Sequence, residues 1–280
     1  MNVSRHPLRK GFAILAAVVL GLLFLLPLVW MVLASFMPDD EVMRGARSLG
    51  ELWPERPTAS NYADVFARVG FLRHVFVSLV FTLTIVAAGM LINSACGFAF
   101  ARLRIPFKNV LFAVLTALIV VPFEALAIPL FLIVGVKWQM MNTLPGLFLP
   151  YLTKAFNIYF MRQYFLSMPR ELEEAARVEG ATWFRVFFRV ALPLSTPALA
   201  TCAVLDFVTH WSEYLWPVII TNRPDMETVQ VGLGHFYTLP PIQWGDIMAY
   251  SVMATLPMVL IFAFCQRYLR LSFTTTGLKG

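Results

Sequence analysis

The sequence predicts an all-α, polytopic membrane protein with six transmembrane helices and a short cytoplasmic helix between the fourth and the fifth. Three observations predict it. Of 280 residues, 59% are hydrophobic and only 14% charged, far more apolar than a soluble domain. The apolar residues gather into runs of about 20, the length that crosses a bilayer as a helix. Between the fourth and fifth runs stands a charged stretch with helical patterning, Glu171 to Pro193.

Taken in order, the six runs are roughly Phe12 to Phe36, Val75 to Ala101, Val110 to Gly135, Leu144 to Phe165, Leu194 to Ile220 and Ile247 to Gln266. Arg5, Arg9 and Lys10 precede the first as in a secretory leader, but the run is too long and lacks a small-x-small cleavage site. It is read as a retained span. Pro27, Pro217 and Pro257 stand within spans and are expected to kink them. Together the spans make one membrane domain, residues 1–280, with an external loop at 37–73 and a cytoplasmic loop at 167–193. Pro54, Pro57 and Ser60-Asn61 mark turns in the external loop, and the sequence leaves open whether it is ordered.

Orientation follows from the basic residues. Placing both termini and the loops Arg102 to Lys108 and Arg162 to Arg189 on one side gathers most of the 22 lysines and arginines there, and that side is cytoplasmic by the positive-inside rule. The other side carries Arg44, Arg47, Arg56, Arg68 and Arg73, diluted by Asp39, Asp40, Glu41, Glu51, Glu55 and Asp64. Dispersal of the +6 net charge through loops, without a basic stripe, argues against nucleic acid as a partner. Cys96, Cys202 and Cys265 all fall in apolar runs without ligand spacing, so neither disulfide nor metal site is expected. His6, His74 and His235 are read as solvated or interfacial.

The charged stretch reads as helix, glycine turn, helix. Pro169 precedes it, and Glu171, Glu173 and Glu174 crowd the first turn, where the helix dipole favours negative charge. Leu172, Ala175 and Ala176 share a face, Glu173 and Arg177 are spaced to pair, and Gly180 supplies a stop. Thr182 is placed to cap a second helix whose apolar side is Trp183, Phe184, Phe187 and Phe188, opposed by Arg185 and Arg189 and ended by Pro193. An amphipathic helix lying on headgroups shows similar periodicity, but the glutamates argue for a docking surface for a cytoplasmic partner.

Glu174-Ala175-Ala176, Gly180 and Val190-Ala191-Leu192-Pro193 resemble the EAA signature of permease subunits of ATP-binding-cassette importers, with valine where isoleucine is usual. Leu26-Pro27-Leu28, Asn61-Tyr62, Phe98-Ala99-Phe100-Ala101-Arg102, Met161-Arg162-Gln163, Trp211 to Pro217 and Thr276-Gly277-Leu278-Lys279-Gly280 extend the likeness over most of the chain, specifically to the maltose-type second permease of the carbohydrate-uptake branch. The resemblance implies a heterodimer with a second related permease, two copies of an ATP-binding subunit and an extracytoplasmic solute-binding protein, in the lipid of a prokaryotic cytoplasmic (inner) membrane. It implies that Glu174, Ala175, Ala176, Gly180, Leu192 and Pro193 form the coupling contact with the ATPase. This chain would bind no cofactor and carry no catalytic residue. ATP and Mg would belong to the partner, and no G-x-x-x-x-G-K-[ST] loop occurs in the sequence.

Ionisable residues inside spans are costly. Glu124 stands in the third span between Pro122 and Pro129, and Asp206, His210 and Glu213 follow in the fifth at spacings that share a helical face. They read either as a polar wall of a translocation path, with Trp211, Tyr214 or Trp216 as stacking surfaces for a sugar, or as interhelical ties. For Glu124, tie or gate is favoured over solute contact. Lys154, beside Asn157, is a possible partner for one of the acids. His210 and Ser212 replace the family's commoner small residue and asparagine. The importer competes with an ion-coupled secondary transporter using Glu124, Asp206 or Glu213. A membrane-embedded enzyme would need a convergent nucleophile and base, or a metal cluster, and the sequence offers neither.

Overall fold

A computed structural model describes residues 7–45, 48–238 and 240–276. Arg5, His6, Arg47 and Gly277-Leu278-Lys279-Gly280 lie outside the described residues, as do the side chains of Arg9, Lys10, Arg267 and Arg270. The helices that position the site are, in chain order, α1 (Pro7–Ala34), α2 (Asp39–Arg44), α3 (Ser60–Arg68), α4 (Phe71–Arg102), α5 (Lys108–Val120), α6 (Phe123–Lys137), α7 (Leu144–Phe148), α8 (Ala155–Ser167), α9 (Glu171–Val178), α10 (Trp183–Leu194), α11 (Thr196–Trp211), α12 (Leu215–Ile220) and α13 (Trp244–Thr276). They form two compact units, Met1–Val69 with Leu233–Thr255, and Gly70–Gly232 with Leu256–Gly280.

In the first unit, α1 shows none of its apolar stretch buried against the chain, an arrangement suited to a non-aqueous surround. The segment after α1 is ordered by polar contacts. Asn61 on α3 donates to the carbonyls of Ser35 and Met37, both at 2.9 Å, and so closes the end of α1. Glu41 accepts the Glu55 N–H at 2.6 Å. Arg56 bonds to exposed Asp40 and holds its carboxyl below the usual range. Asp39 accepts the first N–H groups of α13, those of Trp244 and Gly245. Arg68 spans Asp246 at 2.6 Å, Gln243 at 2.7 Å and the Pro241 carbonyl at 2.8 Å.

The second unit is organised by α4 against α8. They approach closely at Gly97, where a Cβ would stand 2.9 Å from the Met161 Cβ and the Arg162 backbone nitrogen. Only glycine admits that contact. One core cluster gathers Phe98, Met161, Phe165, Val186, Phe187 and Ala191, with the Phe98 ring edge-on to Phe165 at 5.5 Å. A second gathers Val77, Phe81, Ile85, Val134, Leu147 and Trp216.

The predicted spans are only partly continuous helices. Gly11–Ala34, Phe71–Arg102 and Trp244–Cys265 are uninterrupted and long enough to cross a membrane. The third predicted span is a helix pair bent by 100° between α5 and α6, and the fifth, Leu194 to Ile220, begins at a 76° bend between α10 and α11 and is divided after Trp211 into α11 and α12. Proline explains both bends. Pro122 holds the chain extended before α6, while Pro193 and Pro197 flank Ser195 and withhold N–H donors, so the hydroxyls of Ser195 and Thr196 take up the Leu192 and Pro193 carbonyls. The fourth predicted span, Leu144 to Phe165, is corrected to a short helix with a 3₁₀ turn ending at Tyr151, a break, and α8. Pro150 lies in that turn. The described residues therefore hold three uninterrupted spans, or five if each bent pair is one crossing.

Candidate functional site

On α9, Glu174 and Ala175 are exposed and Ala176 is half-buried, while Val178 is 88% exposed. The turn behind them closes through Gly180, at φ +83°, where an L side chain would be strained. Gly180 N–H reaches the Arg177 carbonyl and Ala181 N–H the Ala176 carbonyl, each at 3.0 Å. Among the described residues nothing stands within 4 Å of a Cβ at Gly180. That face is open.

The opposite face is closed. Glu173 turns inward and its carboxylate takes Arg102 Nε at 2.6 to 2.7 Å, with both side chains 4% exposed. Another arm of Arg102 donates to the Met168 carbonyl at 3.0 Å. This corrects the expected pairing of Glu173 with Arg177. The face bearing Glu173 packs on the end of α4, whereas Arg177 donates to the Ala181 carbonyl at 2.7 Å and lies over Trp183. Thr182 caps α10 as its sequence position predicts, accepting Arg185 N–H at 3.3 Å. The apolar side of α10 is also corrected. Val186 and Phe187 enter the core, but Trp183, Phe184 and Phe188 are exposed, because the cluster around Phe98 and Phe165 meets the helix out of the expected phase. Leu192 is half-buried and Pro193 exposed at the α10–α11 bend.

Deeper in the second unit, α11 buries Asp206 and His210. Asp206 Oδ1 lies 2.9 Å from Lys154 Nζ, and Oδ2 2.5 Å from Asn157 Nδ2. Lys154 is thus the partner its position allowed. The break before α8 makes this reach possible, and Asn93 on α4 holds the break by accepting Lys154 N–H at 3.1 Å and donating to the Leu152 carbonyl at 3.3 Å. His210 donates Nδ1–H to the Asp206 carbonyl at 2.7 Å, since a carbonyl can only accept. Its ring meets Tyr151 edge-on at 4.8 Å, and Tyr151 stacks on Phe123 at 4.8 Å.

The other predicted residues are placed differently. Glu213 follows the end of α11 in a turn rather than sharing its face, and its carboxylate accepts Trp216 N–H at 3.4 Å. Glu124 is exposed in the first turn of α6, beside the Pro122 bend, where the helix dipole favours a carboxylate. Trp216 is fully buried, with its indole N–H shared by the Gly146 and Leu147 carbonyls at 3.1 Å. Its ring is packed, not an open stacking face. His74, expected at an interface, is instead buried with Nε2 3.6 Å from Glu227, while His235 is exposed.

Residues 89–272 match the family described as binding-protein-dependent transport system inner membrane component. The chain belongs to that family. The permease is 34% identical over 275 residues to the arabinooligosaccharides transport system permease protein AraQ of Halalkalibacterium halodurans, covering 96% of this chain and 95% of the relative. It is 30% identical over 245 residues to the lactose transport system permease protein LacG of Rhizobium radiobacter, covering 88% of each. Its fold matches a crystal structure of a bacterial ABC transporter involved in import of the acidic polysaccharide alginate, with TM-score 0.79, 24% identity, and coverage of 95% of this chain and 99% of that one. The permease is therefore a non-catalytic inner-membrane subunit of an ABC importer. ATP hydrolysis lies in a separate subunit, and a partner permease and a solute-binding protein complete such systems.

Sequence reasoning missed Arg102, Asn93 and Tyr151. Arg102 stands in the Phe98 to Arg102 motif, but its partner lies 71 residues away. Asn93 carried a signal that went unread, an amide in an otherwise apolar run.

Proposed function

We propose that the permease carries a sugar or sugar-like solute into the cytoplasm. The observation that carries this reading is the near full-length similarity to the arabinooligosaccharide and lactose permeases. In this reading both termini are cytoplasmic, and the permease pairs with a second related permease over two copies of an ATP-binding subunit. Glu174, Ala175, Ala176 and Gly180 enter a cleft of the ATPase, with Leu192 and Pro193 at the bend behind them. The open α9 face and the Arg102–Glu173 pair beneath it support this, because a helix so seated moves with α4 rather than sliding over it. Closure of the ATPase dimer then switches the spans between inward-open and outward-open arrangements. Asp206, His210 and Glu213 line the path, Glu124 stands at the α5–α6 bend as a gate or tie, and Trp216 buttresses the wall.

The test is affinity purification from the native membrane in mild detergent, with mass spectrometry of what accompanies the chain. An ATP-binding subunit, a second permease and a binding protein that retains a sugar are expected. A binding protein selecting an amino acid or an inorganic ion would overturn the solute class.

A further inference from the structure

The α4–α5 turn and the adjoining end of α8 carry a group of cations with no anionic partner. Arg102 is consumed by Glu173. Lys108, at the start of α5, donates to the Leu103 carbonyl at 3.2 Å. Arg162, on α8, lies with its guanidinium carbon 3.9 Å over the Phe112 ring and donates to the Phe100 carbonyl at 3.4 Å. Arg170 is exposed just before α9. The charges of Arg162, Arg170 and Arg102 all act on the Lys108 ammonium. Among the described residues, no carboxylate lies within 4.0 Å of Lys108, Arg162 or Arg170. The ion pairs formed are elsewhere: of the acids that follow Arg170 on α9, Glu173 is taken by Arg102, and Glu171 and Glu174 are not joined to Arg170. Like charges held together at a membrane boundary call for an external anion.

The neighbourhood states what kind of anion. Phe107, between the arginine-bearing end of α4 and Lys108, sits at φ +54° with 82% of its surface exposed. Val110, Leu111 and Val114 follow on α5, all exposed. A bulky aromatic held in the left-handed region and presented outward is costly in water and favourable at a membrane interface, where aromatic rings settle at headgroup level. Cations beside an exposed apolar belt match a ligand with an anionic head and hydrocarbon tails. The arginine fork suits phosphate oxygens, and lysine adds a point charge. A zwitterionic head would bring its own ammonium into a site already rich in cations.

We propose that Lys108, Arg162 and Arg170 bind the phosphodiester headgroup of an anionic phospholipid, with the acyl chains along the exposed face of α5. The site lies apart from the solute path and does not depend on which solute is carried.

The experiment uses the assembled importer, purified with its partners, delipidated and titrated with phosphatidylglycerol or phosphatidylcholine, with bound lipid counted by native mass spectrometry. Each cation removed near an anionic lipid lowers affinity roughly fivefold. Lys108→Gln with Arg162→Gln is therefore expected to weaken phosphatidylglycerol binding on the order of 25-fold, while Arg44→Gln with Arg223→Gln, an equal charge loss elsewhere, leaves it unchanged. Arg162→Lys, which keeps the charge, retains most of the binding. If the double variant does not assemble, Lys108→Gln with Arg170→Gln, both outside the packed core, reads the same site. Equal phosphatidylglycerol binding by site and control variants overturns the proposal, as does equal binding of phosphatidylcholine. Full displacement of the lipid by excess inorganic phosphate would make this a free-anion site and overturn it too.

Discussion

Arg102–Glu173, which joins α4 to α9, and Lys154–Asp206, which joins the start of α8 to α11, are both acid–base pairs between helices, yet their surroundings differ. In the first, both side chains are 4% exposed and a second guanidinium arm is fixed on a backbone carbonyl. In the second, Asp206 is buried but Lys154 is 34% exposed, so its ammonium keeps access to whatever fills the adjacent space. The closed pair suits force transmission and the half-open pair suits exchange with a passing solute. Breaking each in turn separates the two roles.

The largest effect is expected at the closed pair. Arg102→Met leaves the Glu173 carboxylate buried and alone, a loss of about 3 to 5 kcal/mol, seen as a lower Tm of the purified complex. Arg102→Met with Glu173→Met restores most of that stability, since two apolar side chains replace two desolvated charges. If transport stays lost in the restored double variant, the pair transmits motion; if transport returns with stability, it is only a brace.

Gly97→Ala probes the frame that both pairs share. Its Cβ meets backbone on α8 rather than a flexible side-chain tip, so a loss of about 1 to 3 kcal/mol is expected. An unchanged Tm would mean that α4 and α8 do not approach this closely.

At the half-open pair, Asp206→Asn should cost less, about 1 to 2 kcal/mol, because Lys154 can turn toward the open side. Uptake by the reconstituted importer should fall well beyond what that loss of stability explains. Proportional falls in uptake and stability would make Asp206 an interhelical tie. Trp216→Phe, removing one donor shared by two carbonyls, is expected to cost about 1 kcal/mol and leave uptake per folded complex unchanged. A changed solute preference would return Trp216 to the path.

The difference between the regions also governs what was legible in the sequence. The helix of Glu171 to Val178, the Gly180 stop and the Thr182 cap depend on neighbours within four residues, and periodicity revealed them. The partner of Glu173 depends on which face of α9 meets α4, which spacing alone leaves open between Arg177 and Arg102. Apolar runs located the long helices, but hydropathy averages over the backbone breaks at Pro122, at Pro150 and after Trp211 that bend or divide the third, fourth and fifth predicted spans, and over the bend at Ser195 where the fifth begins. Asp206 and His210 share a helical face, as their spacing predicts, and that face is buried. Glu213 does not, because α11 ends at Trp211 before the face can be continued.

The most direct test is ATP-driven uptake by the reconstituted importer carrying Gly180→Trp, with Gly180→Ala as control. Either side chain strains the backbone at φ +83° by about 1 to 2 kcal/mol, and among the described residues nothing stands within 4 Å of a Cβ there, so the two variants differ in the bulk they present to a partner docked on that open face. The predicted result is partial uptake with alanine and none with tryptophan, in complexes of equal Tm. Full uptake with tryptophan would contradict the docking of α9 and its glycine turn on the ATPase.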